Sequence, residues 1–368
     1  MKKIISFIIS IVLIVLVGCQ KNDIVYKTFY LEEAFSIVPI VSVMVDNPNL
    51  ISDELANELS NITSMLDRKF NVFNDDSMIS EVNKNAGIKE VKVDEEFLLV
   101  LECAINTSKE TKINNKVLYD VSIFSIWNEW KFNENYYQLN NYSQIPSEDI
   151  IKQKLPLIDY NKIIIDNSSN TVYLQDKGMM IDLGSIVKGY AAEKISLYLE
   201  NKGLYNSLID VGGNVITMGK NIGTNKNWKA GILEPYSIDN QIGYIKTNDY
   251  KETLVTSGIY QRYIIHQNKE TKELEMYHHI LNPLTGYPED NELLSVTIIT
   301  NNSMIADAYS TAIFLLGLNK GLDYVNNVDF LEAIFITKNK EIILSSGIES
   351  RFVINESIYT DGYKIINL

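Results

Sequence analysis

Residues 302–317 read NSMIADAYSTAIFLLG, and this stretch decides the architecture. At about 100° per residue, Ser303, Asp307, Ser310 and Thr311 fall on one narrow stripe of a helix. Met304, Ile305, Ala308, Ala312, Ile313, Leu315 and Leu316 cover most of the remainder. A helix that is apolar on nearly every side must be covered on nearly every side. The carboxylate on its wall then needs a hydrogen-bond donor, a cation or a cavity, because an isolated buried charge is too costly to keep. Its partner has to come from elsewhere in the chain.

Working outward, β-type runs occur at KIIIDNSSNTVYLQ, SLIDVGGNVITMG, LLSVTIITN and FLEAIFITKNKEIILSS, with Asn, Ser, Gly or Lys turns between or beside them. Ile51, Leu55, Leu59, Ile62 and Leu66 repeat at helical spacing, with Pro48 near the start. A second helical pattern runs through Phe97, Val100, Leu101, Ala104 and Ile105 after an acidic opening. Helices and strands alternate without a regular βαβ period. The expected class is therefore α+β, with mixed and antiparallel sheets packed against helices. Residues 134–157 are polar and aromatic with two prolines and read as an inserted loop, in which Ser147 can cap a short helix.

The 368 residues are 46% hydrophobic and 22% charged, which suits a folded chain of one large unit. A net charge of -14 and a pI near 4.8 argue against nucleic acids and against adsorption to anionic lipid. Lys2 and Lys3 precede an uncharged apolar run, Ile4–Val17, followed by Gly18 and Cys19, which reads as a secretory signal. LVGC there resembles the lipobox of bacterial lipoproteins. Residues 1–18 are expected as a signal peptide, 19–30 as a tether behind a lipidated Cys19, and 31–368 as the catalytic domain. The membrane is then reached only through the lipid, and the protein is extracytoplasmic. An uncleaved membrane anchor is the alternative. Cys103, the second of two cysteines, lies in an apolar helical pattern and is expected to be inert packing.

Polar chemistry gathers in five places. MMIDLGSIVKGYAAEKISLYLENKG, residues 179–203, passes from an apolar approach through Asp182 and Gly184 into a helix. Its start aims free N–H groups at one spot, with Lys188 a turn later, a geometry suited to phosphate. LIDVGGNV places Gly212 and Gly213 inside a strand pattern, which suggests a bulge or a close approach to the backbone. TSGIYQRYI holds Ser257, Gly258 and Arg262. YHHILNPLTGYP holds His278 and His279 before two turns. The fifth is the helix at 302–317. No Cys and His spacing supports zinc.

In this order, DLGSIVKGYAAEK, DVGGN, TSGIYQRYI, HHILNPLTGYP and ADAYSTAIFLLG resemble the ApbE family of FAD:protein FMN transferases. Upstream, YDVSIFSIWNEWKF and FNVFNDDSMISEVN resemble two further family blocks. In these blocks Glu129 and Lys131 stand where the family has Leu and Gly, and Asp210 and Val211 stand for Asn and Ala.

The resemblance implies a T-fold-like single catalytic unit. It would use Mg²⁺ and FAD, move FMN onto a Ser or Thr of an acceptor protein, and release AMP. It implies Asp307, Thr311 and an oxygen of Ser185 as metal ligands. Hard oxygens on one helix face independently suit Mg²⁺. It places Asp182, Lys188, Ser257, Gly258, Arg262 and the backbone around Ile280 against FAD. Gly212 and Gly213 would give the nucleotide close access, and Trp130 and Phe73 would contact the flavin. His279 is the candidate general base, with Asp307 competing for that role. The implied acceptor is a flavin-carrying subunit of extracytoplasmic electron transfer. An FAD pyrophosphatase using the same site and a non-catalytic flavin-binding lipoprotein are the rival readings.

Overall fold

The computed structural model describes residues 24–135, 144–235, 237 and 240–366. The signal-peptide and Cys19 assignments lie outside these residues. At the centre is a nine-stranded sheet whose order in space is its order in the chain. We label its strands β1 (Val25–Tyr30), β2 (Ile40–Val45), β3 (Ser207–Asp210), β4 (Asn214–Met218), β5 (Lys251–Gly258), β6 (Leu293–Thr300), β7 (Glu332–Thr337), β8 (Glu341–Leu344) and β9 (Lys364–Ile366). Every neighbouring pair is antiparallel except β8 and β9, which run parallel. Antiparallel order with helices inserted between hairpins is the α+β arrangement expected from the irregular alternation of elements.

All eight residues of β6, LLSVTIIT, are buried, so this strand is covered on both faces. Its near-continuous apolar run has that cause. The helices that concern the site are α1 (Leu55–Phe70), α2 (Glu95–Glu110), α3 (Phe124–Trp130), α4 (Val187–Asn201) and α5 (Ser303–Leu316). Helix α5 is the quoted stretch. Its cap, Asn302, accepts from the Ile305 N–H at 3.0 Å, and every residue except Met304, Ile305 and Thr311 is buried. It packs on β5, β6 and α4. A satellite core of Phe124, Ile126, Trp127, Trp130, Phe132, Ile151, Ile264 and Leu281 sits beside the main one.

Three readings change. Residues 25–30, assigned to the tether, form the edge strand β1, in register with β2 from Val25 opposite Val45 to Tyr30 opposite Ile40. Helix α1 begins at Leu55 rather than near Ile51, because Pro48 sits in a separate short 3-10 turn capped by Asn47. The Gly pair does not interrupt a strand but ends one. Val211 and Asn214 exchange backbone hydrogen bonds, and Gly212 (φ 62°) and Gly213 (φ 89°) are the central residues of a two-residue hairpin turn joining β3 and β4. Positive φ at both positions is why two glycines stand there. In the 134–157 segment, Ser147 accepts from the Ile150 N–H at 3.4 Å and caps the helix Glu148–Lys154. Residues 136–143 of that segment lie outside the described residues.

Candidate active site

The partner required by Asp307 is the start of another helix. Its Oδ2 accepts from the Gly189 N–H, in the first turn of α4, at 2.8 Å. Helix α4 has no side-chain cap and no acidic residue of its own in that turn, so the carboxylate from α5 meets the positive end of the helix. Burial holds the Asp307 carboxyl above its ordinary value, with the charge of Lys188 and the Gly189 N–H opposing. The helices meet at Gly189 because only Gly fits: a Cβ there would lie 2.1 Å from the Ser303 carbonyl and 2.6 Å from the Asp307 Cβ. Glu193, one turn along α4, returns the arrangement by accepting from the Ser303 N–H at 3.0 Å while pairing with Lys251 at 2.5 Å. Each helix thus receives a carboxylate from the other at its N-terminus.

Beside Asp307 runs a chain of hydroxyls. Ser257, at the end of β5, lies 2.8 Å from the Ser310 Oγ and 3.1 Å from the Thr311 Oγ1, and the Ser310 hydroxyl donates to the Asp307 carbonyl at 2.8 Å. On the α4 side, Ser185 Oγ and the Tyr119 hydroxyl are 2.8 Å apart. Buried Tyr119 lies within electrostatic reach of both Asp307 and Asp182, and its phenol is pushed well above its ordinary range, chiefly by burial. Asp182 Oδ1 accepts from the Gly184 N–H at 3.0 Å. Burial raises its carboxyl, with the Gly184 N–H and the charge of Arg262 opposing.

His279 completes the ring of groups. Its Nδ1–H donates to the Arg262 carbonyl at 2.9 Å, which leaves Nε2 with its lone pair. Burial, then the charge of Arg262 and more distantly of Lys188, pushes its pKa down to about 3, so the ring is neutral. Adjacent His278 is buried, its Nε2 on the Glu289 carbonyl at 3.0 Å and its ring edge-on to Phe314 at 6.1 Å, and it serves the core. The Ile280 carbonyl accepts from the Glu289 N–H at 2.9 Å. Asp182, Ser185, Lys188, Ser257, Arg262, His279, Asp307 and Thr311 therefore form one connected group, with Gly258 next to Ser257 on buried backbone.

The aromatic assignment changes. Trp130 is 0% exposed, donates its indole N–H to the Gly286 carbonyl at 3.0 Å and stacks on Phe132, so it has no face to offer a ligand. The exposed ring in this block belongs to Phe73, 56% exposed; behind it lies the buried Trp127, whose ring centre is 6.1 Å from that of Phe73 and 5.8 Å from the Arg262 guanidinium carbon. Trp127 also donates to the His279 carbonyl at 3.1 Å, tying the aromatic pair to the polar group. Lys131 ends α3 with φ 52°, the left-handed conformation that explains Gly at this place in the family block. Of the hairpin glycines, Gly213 faces open space and donates to Asp210 Oδ1 at 2.8 Å, whereas a Cβ on Gly212 would meet Ile37 at 2.8 Å.

The ApbE family model matches residues 36–335. The chain belongs to the ApbE family. Among curated ApbE relatives, the FAD:protein FMN transferase of Klebsiella pneumoniae is 31% identical over 333 residues, 89% of this chain and 96% of that one. The protein of the same name from Treponema pallidum is 29% identical over 292 residues, 75% of each chain. Among solved structures, an ApbE protein from Thermotoga maritima superposes with TM-score 0.75 at 25% identity, covering 89% of this chain and 99% of that one. The flavin transferase ApbE from Vibrio cholerae superposes with TM-score 0.74 at 20% identity, covering 90% and 100%, and shares the fold.

Within this ApbE chain the donor set fits a hard divalent cation. A buried carboxylate with one hydrogen bond among the described residues sits with Thr311, Ser257 and Ser310 hydroxyls and the Ser185 segment. Among those residues no cluster of three His, Cys, Asp or Glu side chains exists. Gly189, Trp127 and Tyr119 escaped the sequence reading, and Ser310 entered it only as a member of the polar stripe. Gly189 alone carried a signal, since a glycine inside a helical pattern is unfavourable unless something packs against it.

Proposed function

We propose that this chain is an FAD:protein FMN transferase that moves the FMN part of FAD onto a Ser or Thr hydroxyl of an acceptor protein, with AMP leaving. The observation that carries this reading is the junction of α4 and α5. There a buried carboxylate held by one hydrogen bond among the described residues, three hydroxyls, Lys188, Arg262 and a neutral imidazole converge on a helix N-terminus that has no side-chain cap of its own.

The acceptor oxygen forms a bond to the FMN-side phosphorus, and the bridging bond to the AMP phosphate breaks. His279 takes the hydroxyl proton on Nε2, its ring held in that tautomer by the Arg262 carbonyl. The pyrophosphate, arriving near Arg262 and Lys188, offsets the positive field that lowers the basicity of His279. Asp182 orients the Gly184 turn, and α4 presents its N–H groups to phosphate. Asp307, Thr311 and the Ser185 segment would hold Mg²⁺, which neutralises charge developing on the phosphate oxygens. Phe73, backed by the buried Trp127, offers an exposed ring for the flavin or the adenine. We place the enzyme outside the cytoplasmic membrane on a lipidated Cys19, with an extracytoplasmic electron-transfer subunit as its acceptor.

The test incubates the protein with FAD and Mg²⁺, with and without an acceptor bearing the family pattern Asp-x-x-Ser/Thr-Gly-Ala-Ser/Thr, and follows AMP, free FMN and acceptor mass. An acceptor heavier by one FMN phosphoester, formed only with the metal present, is the expected result. FMN and AMP without a modified acceptor would make it a pyrophosphatase, and FAD bound but unchanged would make it a binding protein.

A further inference from the structure

We infer that Asn83, 98 residues before Ile181 in the chain, is the positioning residue that holds the Asp182 segment in its FAD-binding place. The inference rests on the reading of this site as one for FAD.

The segment Met180–Asp182 is tied to residues 121–123 at both of its ends. Met180 bridges Ile123 in parallel, and the Asp182 N–H donates to the Val121 carbonyl at 2.9 Å. Neither contact uses the backbone groups of Ile181, which lies between them. The Asn83 carboxamide bonds both: Nδ2–H donates to the Ile181 carbonyl at 2.9 Å, and Oδ1 accepts from the Ile181 N–H at 2.8 Å. A carboxamide is a peptide group on a side chain, so one residue supplies both the donor and the acceptor. Ile181 is fully buried, so either backbone group left unmade would be unsatisfied away from water.

The place of this clamp in the chain gives it its leverage. Asp182 adjoins Ile181, Gly184 and Ser185 form the turn beyond it, and α4 begins at Val187. Asn83 belongs to the helix Met78–Lys84, capped by Ser77 and directly after the loop that carries Phe73. One side chain thus ties the aromatic side of the site to the phosphate side.

The experiment compares wild type with Asn83→Ala and Asn83→Asp, using the full chain. FAD binding is followed by flavin fluorescence, transfer by acceptor mass, and folding by thermal unfolding. Asn83→Ala is expected to raise both the Kd and the KM for FAD about tenfold in the folded protein, with a smaller effect on kcat. Asn83→Asp cannot donate to the Ile181 carbonyl while ionised, so it should behave like Asn83→Ala at neutral pH. Its FAD affinity relative to wild type should recover on acidification, when the carboxylic acid donates again. A Tm lowered with Kd and KM within twofold of wild type, or a fall in kcat alone, overturns the positioning role. Should Asn83→Ala fail to fold, the pH profile of Asn83→Asp decides alone, and a flat profile overturns it. Failure of the wild type to bind FAD would sink the reading of the site itself. Normal wild-type binding with indifferent variants sinks only the role of Asn83.

Discussion

Asp120 and Asp307 are both buried, and burial holds both carboxyls above their ordinary value, yet their surroundings differ in kind. Asp120 is completed by its own neighbourhood. Its oxygens accept from the Ser122 N–H at 2.9 Å, the Ser122 hydroxyl at 2.7 Å and the Tyr160 N–H at 3.0 Å, and Ser122 in turn accepts from the Asp159 N–H. Asp307 accepts one hydrogen bond among the described residues, from Gly189, and has Lys188 within electrostatic reach. A carboxylate filled by three donors joins the loops at 120–122 and 159–160 and is occupied in doing so. One held at a single oxygen across two helices retains capacity for a cation. The number and origin of the donors, more than burial, separates Asp120 from Asp307, for which we propose the functional role.

The sharpest way to break this contrast is Asp307→Asn, which keeps shape and an acceptor for Gly189 while removing the charge. Transfer should fall about 100-fold or more, measured as AMP release and acceptor mass, with thermal unfolding little changed. Activity within a few-fold of wild type would reduce Asp307 to the same role as Asp120. Gly189→Ala comes next. Its Cβ collides with the Ser303 carbonyl, so the helices must separate, lowering stability by about 1–3 kcal/mol and lowering transfer with it. Urea unfolding with kinetics on the same samples would show both losses.

Asp120→Asn is the counterpart. It should cost about 1–2 kcal/mol in urea unfolding and leave kcat of the folded fraction unchanged. A selective loss of kcat would erase the distinction from the other side. The smallest effect is on acid stability. His279 sits near a pKa of about 3 in the folded chain against an ordinary 6.5. Between those values the unfolded chain binds the extra proton, so stability rises with pH in this window and is lost as pH falls from about 6.5 toward 3. Removing the titration with His279→Gln should make the loss of stability between pH 6.5 and 4 shallower, though not flat, because His278, held at about 4 chiefly by burial, adds its own share. An unchanged slope would mean that burial and the charge of Arg262 do not hold the His279 ring neutral as described.

Much of this was readable in the chain. The 302–317 helix, its buried character and its polar stripe come from 3.6-residue periodicity, a local property. The hairpins at 163–174 and 332–344 come from apolar runs around turn residues. Where a reading needed distant partners, it went astray. VYKTFY looked like a polar tether and became a strand only because IVSVMV lies beside it. The glycines at 212 and 213 announced positive φ, but whether they bulge one strand or join two depends on pairing across the turn. Trp127 and Trp130 are three residues apart on one short helix, and only the packing decides that Trp130 is enclosed by Phe132, Tyr277 and Tyr287 while Trp127 lies against Phe73 and Arg262.

By itself, the sequence determined the residue types at the site, the helix that carries Asp307 and Thr311, the turn into α4, and through ordered motifs the family. Side-chain chemistry and local periodicity are written in the chain. Tertiary structure alone decided that Gly189 receives Asp307 from 118 residues away, that Asn83 bonds both backbone groups of Ile181, and that Trp127 faces Arg262. Those contacts join segments with no shared local signal. They exist because each buried backbone group and each buried charge must find a partner, and the fold decides which one is within reach.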